Sequence, residues 1–431
     1  KAHTVTLGNK NDTFTDTGSG AVVVTATAGN NTITMGTGTG TVTAGSGTDT
    51  LTGGTGADVF TFGSAANSFG DSITDFKSGT DDIAITLDYS GQASAVTVNA
   101  VRTGAGKAGV TAAESTMSGK RGEYVYDTTN SKLVMDITGD GVISGADHNI
   151  SVNAATTAAN TIAVGDVKVT VAGSDHNDTI TVDGDSVVNA GKGDDTITGK
   201  TGAPTLNGEA GADTITGGTG DVVITGGDGA DTITSGTGDA TITGGTGADT
   251  IVLGTGANTV KFTTKLDGLS ALVTLTDVTN ADDDFTATAG TTVDSIDNTW
   301  AVASDFLDFS GALKTSLTAA ADDASSGTAA DTDGADADAA GVCIIVAADG
   351  TIAGDAFGDV TAIKAGFDGH TKNLTDGEKI IFTLEGASGT KTGIYYLENT
   401  TGNDALDATD KIALLAIVTD ASLTTTEITF S

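Results

Sequence analysis

This chain of 431 residues carries one cysteine, four histidines, one tryptophan and only 19 basic side chains. Each scarcity excludes something. With Cys343 alone no internal disulfide can form, and a secreted protein without disulfides needs another staple, for which a metal is the obvious candidate. Cys343 stands in the apolar run of Val342, Ile344, Ile345 and Val346, where it reads as a buried, inert thiol. His3, His148, His176 and His370 are scattered, and no H-E-x-x-H, G-x-S-x-G or Walker lysine motif occurs, so the chain is expected not to be an enzyme. Trp300 by itself is too little for a carbohydrate platform. The 19 bases face 57 acids, a formal net charge of -38, which argues against nucleic acid or anionic membrane as a direct partner. No segment reaches 18 apolar residues, so no membrane span is expected. The chain opens on Lys1 without a signal-peptide pattern, as a processed or trimmed portion of something longer would.

What the chain has in quantity, it has periodically. From Thr181 to Lys261 the sequence repeats every nine residues without an insertion. The fourth column of those rows is Gly184, Gly193, Gly202, Gly211, Gly220, Gly229, Gly238, Gly247 and Gly256. The eighth is Val188, Ile197, Leu206, Ile215, Ile224, Ile233, Ile242, Ile251 and Val260. A glycine at a fixed place predicts a turn with positive φ or a close backbone approach, and an apolar residue flanked by threonines predicts a short strand. Each row is thus turn plus strand, and two rows make one coil of a solenoid.

The sixth column carries the chemistry. Asp195, Asp213, Asp231 and Asp249 recur every eighteen residues, while the intervening rows hold Ser186, Pro204, Val222, Ala240 and Asn258. Two rows per coil align the four aspartates along one edge. Carboxylates stacked roughly 4.8 Å apart repel unless a cation lies between them. Calcium suits such a column because it takes about six to eight hard oxygen ligands, glycine-turn carbonyls included. The expected ligands are these four aspartates with the turns at Gly193, Gly211, Gly229 and Gly247, holding several ions. The opposite edge has its acids one column earlier, at Asp185, Asp221 and Asp239, and lacks them at Ala203 and Ala257, so it is expected to be poor in metal.

The stretches GGDGADTIT from Gly226 and GGTGADTIV from Gly244 match the nonapeptide G-G-x-G-x-D-x-U-x, where U is a large apolar residue. On these residues the chain resembles the RTX family of secreted calcium-binding proteins. The resemblance implies a parallel β-roll with bound calcium.

A shorter array, from about Thr17 to Thr61, keeps the same register, with Gly20, Gly29, Gly38, Gly47 and Gly56 in the fourth column and Val24, Ile33, Val42, Leu51 and Phe60 in the eighth. Its sixth column is acidic only at Asp49 and Asp58, with Asn31 one coil before Asp49, so fewer ions are expected. After Phe62 the register stops. The segment GDSITDFKSGTDDIAI, Gly70 to Ile85, resembles the closing segment of RTX arrays, which implies Asp71, Asp75, Asp81 and Asp82 as acids of a metal-binding cap; a hairpin with solvated acids is the alternative. The paired Tyr124 and Tyr126 and the alternating Leu133 and Met135 predict an antiparallel sandwich or meander. Within it DITGDGVISGAD, Asp136 to Asp147, fits a calcium loop: Asp136 at position 1, Thr138 at 3, Asp140 at 5, Gly141 at 6, the Val142 carbonyl at 7 and Asp147 at 12. A polar β-turn is the competing reading.

The second half is expected to repeat the first. VDSI at 293–296 parallels GDSI at 70–73, LDFSG at 307–311 parallels LDYSG at 87–91, and GIYYLE at 393–398 parallels GEYVYD at 122–127. The stretch 399–410 aligns with the calcium loop, but Asn399, Asn403 and Asp404 break its pattern. Residues 319–340, rich in Ala, Asp, Ser and Thr, read as a surface insertion or a mobile loop. The tail from Lys411 resembles the C-terminal ends of RTX surface-layer proteins exported by type I secretion; a plain final strand pair is the alternative.

The expected architecture is therefore all-β, with parallel β-roll or β-helix solenoids of nine-residue repeats alternating with β-sandwich-like capping modules. The expected domains are 1–62, 63–170, 171–262 and 263–431. The resemblance is greatest to the RTX surface-layer proteins of Gram-negative bacteria. It implies an extracellular structural protein at the cell surface, with itself as partner in a lattice and a cell-surface polysaccharide as a second partner through a region the sequence does not identify. An RTX adhesin, or the calcium-dependent secretion tail of a larger exoenzyme or toxin, are the other readings.

Overall fold

The computed structural model describes residues 3–63, 69–101, 121–127, 130–139, 147–152, 162–254 and 256–262. Beyond these it describes the strands 273–274, 294–297, 306–309, 343–352, 379–386, 391–398, 411–419 and 428–429. The chain forms two compact units, Lys1–Asn207 and Gly208–Ser431. Among the described residues there is no α-helix, and a single 3-10 turn, Val164–Asp166, interrupts an otherwise all-β chain. Among the described residues no helix is long and apolar enough to cross a membrane.

In the first unit two strands alternate per coil. The short ones, Thr13–Thr15, Thr32–Thr34 and Thr50–Thr52, stack in parallel on one face, while Val22–Thr25, Gly40–Ala44 and Val59–Phe62 stack on the other. The registers pair Ile33 with Leu51 and Val42 with Phe60. Equivalent rows of consecutive coils therefore lie directly above one another, as the eighteen-residue period requires. The eighth-column side chains Val24, Ile33, Val42, Leu51 and Phe60 are all fully buried. The short strands at Ile33 and Leu51 bury one apolar side chain each and the longer ones two, as in Val22 and Val24 or Phe60 and Phe62, which makes a thin core; a buried Val, Leu, Ile or Phe contributes about 1.5–3 kcal/mol.

Nine-residue periodicity ends at Phe62, but the stacking continues. Phe69–Ile73 adds to the threonine-rich face and Asp82–Asp88 to the other, both in parallel. The threonine-rich face is then closed by an antiparallel meander of Glu123–Asp127, Lys132–Asp136 and His148–Val152, whose last strand runs parallel to Phe69–Ile73. The meander joins edge to edge, covering backbone groups that a parallel stack would leave open. The face that holds Asp82–Asp88 runs on without a break to Val167–Ala172 and Val187–Lys192. A new second face begins at Thr97–Ala100 and continues through Thr179–Val182 and Thr196–Gly199. The meander is held to this new stack by the Tyr124 hydroxyl, which donates to Asp183 Oδ1 at 2.7 Å.

The second unit repeats the scheme. Thr214–Thr216, Thr232–Thr234, Thr250–Val252 and Asp294–Asp297 form one parallel stack, and Val222–Asp228, Ala240–Thr246, Thr259–Phe262 and Phe306–Phe309 the other. Ile296 pairs with Ile251 as Ile73 pairs with Leu51, so the two DSI segments are equivalent. LDFSG and LDYSG are not: Leu307 pairs with Val260, whereas Ile83, four residues before Leu87, pairs with Phe60. GIYYLE also takes a different counterpart. The strand Lys391–Glu398 precedes Lys411–Thr419, which runs parallel to Asp294–Asp297 just as His148–Val152 runs parallel to Phe69–Ile73. Its equivalent is thus Lys132–Asp136 and not the strand at Tyr124. Residues 319–340 and the loop 399–410 lie outside the described residues.

Candidate metal centre

The sixth-column aspartates form a ladder through the backbone. In the second unit the amide of Asp213 donates to Asp231 Oδ1 at 2.8 Å, and the amide of Asp231 donates to Asp249 Oδ1 at 2.9 Å. Each carboxylate thereby reaches back one coil. In the first unit the amide of Asp178 donates to Asp195 Oδ1 at 2.6 Å, that of Asn31 to Asp49 Oδ1 at 2.7 Å and that of Asp49 to Asp71 Oδ1 at 2.7 Å. A second ladder on the other edge runs from the Gly40 amide to Asp58 Oδ1 at 2.7 Å and from the Asp58 amide to Asp81 Oδ1 at 3.1 Å.

These aspartates are buried, with Asp49, Asp58, Asp71, Asp195, Asp213, Asp231 and Asp249 at most 1 % exposed. In Asp49, Asp58, Asp71 and Asp231 the second carboxylate oxygen is buried and accepts no hydrogen bond. A buried acceptor without a partner costs about 1–3 kcal/mol, and more when it is charged. The burial itself raises the affinity for protons. Asp231 is pushed up to about 7 by burial, against the opposing Asp213 amide, with the charges of Asp249, Asp213 and Asp228 adding to the rise. Asp71 is likewise pushed up to about 7, burial outweighing the Asp49 amide and the Asp49 charge adding. Asp58 rises to about 6 by burial, opposed by the Gly40 amide and reinforced by Asp81 and Asp75. Without a cation these columns strain against their own charge.

The glycines bring carbonyls to the same edge. Gly193, Gly211, Gly229 and Gly247 all have positive φ, as the row pattern predicts. At Gly247, φ is +129° and a Cβ would run into the Gly229 carbonyl, so successive turns are stacked as closely as bare backbone allows.

Coils without an aspartate show what belongs beside those carbonyls. Asn31 occupies the sixth column, and its Nδ2 donates to the Gly29 carbonyl at 3.0 Å. Asn258 does the same to the Gly256 carbonyl at 2.8 Å. Ser186 turns its hydroxyl onto the Asp183 carbonyl at 2.6 Å. A neutral donor in that column therefore closes the turn on its own carbonyl. An aspartate cannot, since it presents an acceptor to an acceptor. The arrangement fits a hard cation, which would supply positive charge to both. Among the described residues no three acidic, histidine or cysteine side chains converge on one point. Coordination in the columns would thus rest on one or two carboxylates with backbone carbonyls.

The other predicted ligands divide. Asp71 and Asp81 continue the ladders of Asp49 and Asp58, although 22 and 23 residues separate the members. Asp81 also accepts the Lys77 amide through Oδ2 at 2.8 Å, and Asp75 uses both oxygens on the amides of Gly53 and Gly54, at 2.8 and 2.7 Å. Those two carboxylates fasten turns. Asp82 forms an ion pair with Lys168 at 2.8 Å. In the loop at 136–147, Asp136 Oδ1 accepts the Thr138 hydroxyl at 3.1 Å and the Gly139 amide at 2.6 Å, and Asp147 Oδ1 accepts the amides of Ile137 and Thr138 at 3.0 and 3.1 Å. Positions 1, 3 and 12 thus meet in one turn, while Asp140 and Val142 lie outside the described residues.

In the long array the acids of the opposite edge are exposed and bonded with reversed polarity. Asp221 accepts the Asp239 amide at 3.1 Å and Asp239 accepts the Ala257 amide at 2.8 Å, each from the coil that follows. Asp185 accepts the Ala203 amide at 2.9 Å in the same sense. Asp178 is a column member that row counting misses, because its coil is one residue short: Thr179 pairs with Thr196. The motif Asn177-Asp178-Thr179-Ile180 was the available signal.

No curated protein matches the chain in sequence. The stretches 36–68, 172–206, 207–242 and 225–260 do match a family model, the RTX calcium-binding nonapeptide repeat. The chain thus carries four copies of RTX nonapeptide repeats, which bind calcium, several ions across the repeats.

Proposed function

We propose that this chain is an extracellular structural protein, an S-layer or other cell-surface lattice subunit, that completes its fold and assembles on binding calcium outside the cell. The observation that carries the reading is the set of buried carboxylates at Asp49, Asp58, Asp71 and Asp231 whose second oxygens have no donor. The residues assigned to calcium are Asp213, Asp231 and Asp249 with the turns at Gly211, Gly229 and Gly247 in the second unit. In the first unit they are Asp195 with the Gly193 turn, together with Asp49, Asp58 and Asp71. Asp136, Thr138 and Asp147 form a separate site. Bound calcium supplies the charge that lets neighbouring carboxylates ionise together. Where calcium is scarce the acid columns repel and the chain stays largely unfolded, a state suited to export. In a calcium-rich medium binding free energy becomes folding free energy.

The lattice rests on two further supports. RTX repeats are typical of secreted proteins, and stacked strands account for most of the described chain. A formal charge of -38 keeps copies apart until a divalent cation screens or bridges them.

Far-UV circular dichroism and light scattering during a calcium titration, with magnesium as control, test the reading. Cooperative gain of β signal followed by large ordered particles supports it. A folded monodisperse monomer at saturating calcium points instead to the adhesin or secretion-tail reading, and absence of any calcium response removes the metal assignment itself.

A further inference from the structure

Arg121 is the only arginine among the described residues, in a chain where acids outnumber bases 57 to 19. Such a guanidinium is expected to be claimed by a carboxylate. It is not: the described ion pairs are those of Lys168 with Asp82 and Lys192 with Asp175. Arg121 instead lies with its guanidinium carbon 5.7 Å from the centre of the Tyr89 ring. Its backbone is held firmly, bridging to Val98 and accepting the Asn99 amide at 2.6 Å.

The side chain borders a cavity of about 240 Å³ in the first unit, lined also by Gln92, Ser94, Val96, Thr97 and Gly139. Gln92, Ser94 and Thr97 are exposed. Their side chains make no hydrogen bond within the described chain, so an amide and two hydroxyls are available in the lining of the cavity that Arg121 borders. A Cβ at Gly139 would run into the Arg121 Cγ, so the turn that starts at Asp136 lies against the arginine and Gly139 forms part of the wall. The volume suits one sugar ring and is below the range usual for larger ligands.

We infer that this cavity binds a single carboxylate-bearing sugar, a uronic acid residue, with the Arg121 guanidinium gripping the carboxylate in bidentate fashion and Gln92, Ser94 and Thr97 meeting ring hydroxyls. A planar guanidinium matches a carboxylate in geometry as well as charge. In so acidic a chain, attraction of an anion at this one place is a local property of the cavity and not of the surface field. The inference does not depend on lattice formation.

The test is calorimetric titration of the full, calcium-loaded chain with glucuronate at fixed free calcium, beside glucose and acetate. Binding of glucuronate with little or none of glucose and acetate is expected. Arg121→Gln should weaken it by about ten- to hundredfold, with the dichroism spectrum and calcium midpoint unchanged, and Arg121→Lys should restore part. Equal binding of acetate and glucuronate would overturn the sugar assignment. Undiminished binding by Arg121→Gln, or no glucuronate binding to a chain that folds normally in calcium, would overturn the site. A free uronic acid and a polyuronate chain share this chemistry; a pentameric uronate that binds no better than the monomer identifies a one-ring site. Because folding is read separately, failure of sugar binding is distinguishable from failure of the calcium reading.

Discussion

The amide of Asp231 donates to the carboxylate of Asp249 one coil further on, 2.9 Å away, and the Asp231 carboxylate receives the amide of Asp213 in the same way. Backbone of one coil and side chain of the next are thus tied before any ion arrives. In Asp231 the tie uses Oδ1 and leaves Oδ2 buried without a hydrogen bond, open to a metal.

Replacing Asp231 by Asn should convert a calcium-dependent coil into a self-closed one. The amide nitrogen would donate to the Gly229 carbonyl as Asn31 does to Gly29, and the buried charge would be gone. Expected outcomes are fewer calcium ions bound in equilibrium dialysis and more residual β signal in chelator. A drop in chelator-state structure would contradict the assignment.

Gly247→Ala should destabilise the calcium-loaded fold, since φ of +129° and the Gly229 carbonyl both exclude a Cβ. A cost of about 1–3 kcal/mol is expected for a residue forced into this region, read as a lower melting temperature and a higher calcium midpoint. Gly79→Ala, at φ +73° but with open space where its Cβ would go, should cost less.

In chelator, stability should fall as pH rises. Asp71 and Asp231 bind protons up to about pH 7 in the folded chain, and Asp58 up to about 6, against an ordinary 3.8. Between those values the folded state holds more protons than the unfolded, so the contribution is complete below about 3.8 and lost through pH 6 to 7. His148 acts oppositely: burial lowers it to about 4 from 6.5, which penalises the fold as pH drops through that window. Three carboxylates outweigh one imidazole. More β signal is expected at pH 5.5 than at pH 8 without calcium, and a weaker calcium midpoint at the lower pH, because protons and calcium compete for the same oxygens.

Tyr124→Phe should loosen the meander. Its hydroxyl donates to the buried Asp183 at 2.7 Å, and removing that donor should cost about 1–3 kcal/mol. Thermal unfolding in saturating calcium measures it, and an unchanged transition would mean the meander is held without this bond.

The period was legible because each nine-residue row is its own short-range statement: glycine where φ must be positive, a branched apolar residue where a strand meets the core, aspartate at the edge. Eighteen-residue coils then follow by counting, and Ile33 above Leu51 or Ile233 above Ile251 is their direct consequence. Counting failed where coils change length. Asp178 sits in a coil one residue short, and Asp71 and Asp81 continue ladders across 22- and 23-residue coils.

By itself, then, the sequence determined the repeat, the thin apolar stack and the presence of acid columns, since these depend on residue type at fixed local spacing. Only the tertiary structure decided the rest. It set the direction of each amide-to-carboxylate bond, which in the long array is buried on one edge and exposed with opposite polarity on the other. It also placed Asn31, Ser186 and Asn258 as donors onto turn carbonyls, and brought Arg121 beside Tyr89, Gln92 and Thr97. Such relationships depend on which atoms of distant segments meet, and on which oxygen the backbone has already taken.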